Sequence, residues 1–148
     1  MNTTTETFTL QRHRRTFTLD DGRSTLHLGR APKHGDVTTA AGTWPVRILS
    51  FRGLAAEAGD FLRLHPKGAV LPDGPARWTV HRHSAELSRG GARIVVRESG
   101  WFRKTATVEV TGAWADLDLV VLTACFAVLA RQRRRVMLMT AVAASNHG

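Results

Sequence analysis

Leu117 to Ala130 reads L-D-L-V-V-L-T-A-C-F-A-V-L-A, bounded before by Asp116 and after by Arg131, Arg133, Arg134 and Arg135. Wound as a helix at ~1.5 Å per residue, the run is ~21 Å long and apolar on every side, so it has to be covered all round by protein or by lipid. A helix resting on one face of an open sheet would leave a greasy stripe in water. Two arrangements remove it: a sheet curled around the helix, or insertion in a bilayer. Apolar runs of ~10 to 14 residues fit a buried core helix better than a membrane span, and the arginines interrupt this one before spanning length. The acidic residues at its start and the arginines at its end also match the helix macrodipole.

Working outward, the chain before this run has period two. Phe8 and Leu10, Phe17 and Leu19, and Leu26 and Leu28 alternate with polar residues, as half-buried antiparallel strands do. Asp21 and Gly22 supply a tight turn in which Gly22 takes a positive φ. Val46 to Phe51 and Phe61 to Leu64 are further strand candidates, Pro45 being tolerable at a strand start but not in a central ladder. Leu71 to Pro75, L-P-D-G-P, reads as a loop dividing the strands into two halves. Beyond it Trp78 and Val80, Ala85 and Leu87, Ile94 and Val96, and Ala106, Val108 and Val110 point inward, with turns at Arg89 to Gly91 and Ser99 to Gly100. About eight to ten short strands result, and no amphipathic helix separates them, which disfavours doubly wound folds.

The expected fold is mainly β, an antiparallel β-barrel wrapped around one C-terminal hydrophobic α-helix. Residues 1–6 are expected to be a flexible N-terminus, 7–135 one barrel domain with its central helix at about 115–135, and 136–148 a C-terminal tail. The tail, V-M-L-M-T-A-V-A-A from Val136 to Ala144, is apolar enough to extend the helix, bind a groove or dimerise, but too short to span.

The order of elements also carries a resemblance. A β-rich chain ending in G-W-F-R-K-T-A-T-V-E-V-T-G (Gly100 to Gly112), then an acidic helix start and L-V-V-L-T-A-C-F-A-V-L-A followed by arginines, resembles the tubby-like superfamily, which includes the LURP-one-related proteins and the phospholipid scramblases. The resemblance implies a closed barrel around a central hydrophobic helix and contact with membranes or anionic lipids. It supplies no functional residue.

Charge narrows the partners. The formal net charge is +9, carried almost wholly by arginine, since Lys33, Lys67 and Lys104 are the only lysines. Part of that bias matches a GC-rich genome; the rest suits anionic lipid or an acidic protein partner, with nucleic acid less favoured because few aromatic platforms are left outward. The basic residues form three groups: Arg12, Arg14 and Arg15 between the first two strands; Arg97, Arg103 and Lys104 around Trp101 and Phe102; and Arg131, Arg133, Arg134 and Arg135 behind the helix. The second and third are the candidate anion- or lipid-binding residues: aromatic rings beside guanidinium groups suit a lipid interface, where each basic residue contributes ~1 kcal/mol.

Catalysis finds little support. Cys125, the single cysteine, lies in the apolar run without an adjacent base, so it reads as a core residue; with no disulfide to form and no signal-peptide pattern, a cytoplasmic setting at the membrane periphery is expected. His81 and His83 share one face of a strand and are the weak metal candidate, but no third ligand accompanies them. No cofactor motif occurs. The expectation is a non-catalytic binding protein, with a small nucleic-acid-binding barrel and a tail-anchored protein with a cytoplasmic β head as alternatives.

Overall fold

The computed structural model describes residues 4–19, 22–60, 62–99 and 105–145. Thirteen strands follow one another in a single antiparallel meander: β1 (Thr5–Thr9), β2 (Gln11–His13), β3 (Thr16–Thr18), β4 (Thr25–Leu28), β5 (His34–Thr39), β6 (Gly42–Ser50), β7 (Ala55–Ala58), β8 (Leu62–Leu64), β9 (Ala69–Leu71), β10 (Gly74–Val80), β11 (Ser84–Arg89), β12 (Ala92–Ser99) and β13 (Thr105–Thr111). The helix α1 (Leu117–Ser145) completes the chain. From β2 to β13 each strand pairs with the next, and β1 pairs with β13. The two ends of the strand order are therefore consecutive pieces of one polypeptide: Thr5 to Thr9 pairs with β13, Leu10 turns into the core, and Gln11 to His13 pairs with β3. This first stretch nearly closes the sheet into a barrel. Among the described residues the first strand begins at Thr5.

Inside the barrel lies α1. Leu119 to Ala130 are all buried, and the helix touches β4, β5, β6, β7, β11, β12 and β13, so neighbours surround it on every side. The inward rows anticipated from alternation, Phe17, Leu19, Leu26, Leu28, Trp78, Ala85, Leu87, Ile94, Val96, Ala106, Val108 and Val110, all pack in this core. The buried hydroxyl of Thr123 on the helix donates to the Leu119 carbonyl at 2.7 Å, which removes the penalty of an unpaired polar group. Burial pushes the Cys125 thiol well above its ordinary pKa, as suits an inert core residue. Among the described residues no helix is long and apolar enough to cross a membrane.

Three strands escape the sequence pattern for identifiable reasons. Gly35, in β5, looks like a breaker, but a Cβ there would stand 3.3 Å from the Phe126 ring and 2.7 Å from the His27 carbonyl oxygen. The glycine lets the wall approach the helix. In β7, Ala55, Ala56 and Ala58 are buried small residues with little strand propensity, and β9 is three residues long. Pro45 sits within β6 opposite Asp36, just before the β7 ladder begins at Val46, rather than ahead of the strand. The L-P-D-G-P segment is no divider: Gly74 pairs with Leu71, so only Pro72 and Asp73 form the turn. Gly22 does take φ 70, while Asp21 and Phe61 lie outside the described residues.

Asp73 latches the segment leading into α1. Arg89 grips its carboxylate with two bonds of 2.7 and 2.9 Å, the Ala115 N–H adds a third at 3.1 Å, and the same guanidinium lies 4.6 Å from the centre of the Trp114 ring. The Arg89 hydrogen bond, assisted by Ala115, lowers the Asp73 pKa from 3.8 to about 2. A folded-state pKa below the unfolded one stabilises the fold at pH above 3.8, and that contribution fades as pH falls toward 2. Asp73→Asn is expected to lower stability by about 1 kcal/mol at pH 7. In urea unfolding the gap to the parent should close as pH falls from 4 toward 2; a gap unchanged at the acid end contradicts the latch.

Candidate functional site

The functional candidate is the end of the barrel where α1 emerges. The helix does not stop at the arginines: it runs on without a break to Ser145, so the macrodipole account of that cluster fails, and no basic residue occupies the last turn. Tertiary bonds explain the arginines instead. Arg131 Nη1 donates to the His81 carbonyl at 2.6 Å. Arg133 donates to the carbonyls of Gly29 and Arg30, each at 2.6 Å. Arg135 reaches the Arg82 carbonyl at 3.0 Å, and Arg134 lies 4.5 Å from the centre of the Phe51 ring. Successive side chains on a helix fan outward by about 100°. Four arginines within five positions thus become a collar binding the helix to rim loops on opposite sides.

Glu98, at the end of β12, is the anionic hub of this collar. Its side chain is only 6 % exposed, and it accepts from Arg135 Nη1 at 3.1 Å, contacts His83 Nδ1 at 3.1 Å and stands 3.7 Å from Arg131 Nη2. Desolvation lowers the Arg131 pKa while Glu98 opposes it, the expected pattern for a guanidinium drawn partly out of water beside a carboxylate.

Several wall arginines are met by carboxylates. Arg47 and Arg63 share Glu57, Arg93 meets Glu86, and Arg97 meets Glu109 at 2.9 Å. Among the described residues, Arg12, Arg14, Arg15, Arg133 and Arg134 have no carboxylate at ion-pair distance, and they stand together around the emerging helix. These five guanidinium groups place surplus positive charge at this end.

Between the β2–β3 hairpin and α1 lies a cavity of about 170 Å³. Phe17, Leu28 and Leu129, all buried, form its floor, and Val136 and Met137 form the helical wall. Arg12, Arg14 and Arg15 border it with Arg133. From the cavity wall onward the helix carries large apolar side chains at the surface: Met137, Leu138 and Met139 are each more than half exposed. A patch of large apolar side chains of this kind marks an interaction surface.

The chain matches no protein-family model, no curated protein and no solved structure. The site accordingly has to be read from its own geometry.

That geometry divides the residues singled out from sequence. Arg131, Arg133, Arg134 and Arg135 come together with the first basic group, whereas Arg97 sits on the outer face of β12, engaged by Glu109. Trp101, Phe102, Arg103 and Lys104 lie outside the described residues. His81 and His83 do not share a strand face: β10 ends at Val80, and both are exposed in the turn before β11. His81 instead contributes a carbonyl to the collar, while the ring of His83 faces Glu98. Among the described residues no group of three His, Cys, Asp or Glu side chains is placed to hold a metal.

Sequence reasoning missed Glu98 and the apolar cavity floor. Nothing marks Glu98 among the dispersed acids, because its partners are 37 positions away at Arg135 and 33 at Arg131, counted from residue numbers. The R-H-R-R run at Arg12 to Arg15 was the visible signal for the cavity mouth.

Proposed function

We propose that this protein is a non-catalytic binding module that attaches to an anionic lipid surface through the end of the barrel from which α1 emerges. The observation that carries the reading is the continuation of the helix beyond the collar, so that exposed Met137, Leu138 and Met139 project beside a surplus of guanidinium charge. An apolar segment enters the interfacial region of a bilayer while neighbouring arginines hold phosphates, and the combination binds more strongly than either signal alone. A barrel threaded by its C-terminal helix is also the architecture that the tubby-like resemblance implies, and membership in that superfamily is part of the proposal. The sealed Cys125 supports a role without nucleophilic chemistry.

Vesicle flotation tests the reading. The full chain is expected to float with vesicles containing phosphatidylglycerol, to be released by raised salt, and to be recovered poorly with pure phosphatidylcholine. Replacing Leu138 and Met139 together by Glu should lower anionic-vesicle binding at least tenfold. Equal recovery with both vesicle types in low salt, or undiminished binding by the double variant, sinks the proposal.

A further inference from the structure

The β2–β3 hairpin carries an unusual turn. His13 pairs with Thr16, leaving Arg14 and Arg15 as its two central residues, and Arg14 takes φ 57. Turns of this length favour Asn-Gly because a Cβ in the left-handed region costs about 1 kcal/mol. Here an arginine holds that position, and the turn presents two guanidinium side chains to the cavity instead of adopting the easiest local geometry.

The cavity they border has the two halves of an amphiphile site. Arg12 closes one side, its Nε bonded to the Arg14 carbonyl at 2.9 Å and its guanidinium 5.9 Å from the centre of the Phe17 ring. The floor of Phe17, Leu28 and Leu129 is buried and apolar. At about 170 Å³ the space slightly exceeds the ~150 Å³ that accepts a benzene-sized group. Arg133 is anchored by Gly29 and Arg30 carbonyls, which leave its positive charge uncompensated, and Arg15 adds a second positive charge nearby. Burial first, and the like charge of Arg15 second, pull the Arg133 pKa below the ordinary guanidinium value. An anion between the two would relieve that repulsion.

We propose that this cavity binds one small amphiphilic anion, a free carboxylate on a chain of about six to eight carbons, with its tail on Phe17, Leu28 and Leu129 and its head between Arg15 and Arg133. The proposal goes beyond attachment to a lipid surface, since it needs no bilayer, and either reading can fail alone. Octanoate is the probe, and calorimetric titration of the full chain at a concentration where octanoate is monomeric is the measurement. Saturable one-to-one binding is expected, with octanol, which lacks the charge, and propionate, which lacks the tail, at least tenfold weaker. Val136→Trp fills the mouth from the helical wall and Arg15→Gln removes one charge while keeping the backbone bond from the Leu28 N–H to the residue 15 carbonyl. Each should weaken octanoate at least tenfold with an unchanged thermal midpoint. If Val136→Trp fails to fold, Arg15→Gln decides. Absence of saturable octanoate binding, octanol binding as tightly as octanoate, or full affinity in the folded variants overturns the site. Flotation with anionic vesicles alongside a silent titration would leave surface attachment standing and remove the cavity as its ligand site.

Discussion

Phe126→Ala is expected to destabilise the protein by about 3 to 5 kcal/mol, the largest single loss foreseen. Among the described residues Phe126 is the largest fully buried side chain, and it sits on a helix that the barrel surrounds. A cavity there has walls made of a nearly closed sheet, which cannot fold inward as a loose helix pair can. Gly35 sharpens the case, because β5 gave up a side chain to let the ring lie against its backbone. Since small domains are stable by ~5 to 15 kcal/mol, the variant should lose a large share of its folding free energy. Urea unfolding followed by circular dichroism measures it. A loss under 1 kcal/mol would mean that the helix is far less tightly enclosed than described.

Glu98→Gln should cost about 3 kcal/mol through a different route. The substitution keeps the size of the side chain and removes the carboxylate that faces Arg131, Arg135 and His83. Two guanidinium groups, one of them only 16 % exposed, would then confront a neutral amide. An uncompensated charge at a partly dry site is what makes such changes severe. Local consequences should accompany the global one: amide exchange in α1 beyond Ala130 should accelerate more than exchange in the enclosed half. Phe126→Ala should instead loosen the enclosed half. A loss below 0.5 kcal/mol with unchanged exchange would show that the carbonyl bonds of Arg131, Arg133 and Arg135 hold the collar without the carboxylate.

Both variants probe what the residue pattern conveyed unequally. The need to cover Leu119 to Ala130 on all sides was visible in the run itself, and the alternation of Ile94 with Val96 or Val108 with Val110 named the inner faces without any structure. Strands whose inner residues are small were invisible. Gly35 and the alanines of β7 carry no strand signal of their own; they suit the wall only because a helix lies close behind it. The count of strands therefore fell short of thirteen. The L-P-D-G-P turn misled for a related reason, since its Asp73 acts through Arg89 and Ala115, which are distant in sequence.

The basic cluster was legible as a cluster and opaque as a device. Four arginines after an apolar helix fit a C-terminal macrodipole, a soluble rim or a lipid contact equally well until their partners are known. The carbonyls that accept from Arg133 belong to Gly29 and Arg30, more than a hundred residues earlier. No local pattern encodes such a bond.

By itself the sequence determined that an all-apolar helix had to be enclosed and that strands with one inward face were there to enclose it, because hydrophobic periodicity is a local property of neighbouring residues. Only the tertiary structure decided how the sheet nearly closes through the continuous β1 and β2 stretch, which arginines are bound in the collar and which stay free beside an apolar cavity. Those outcomes depend on carbonyls, carboxylates and side-chain gaps brought together from opposite ends of the chain, and proximity of that kind exists only after the barrel has formed.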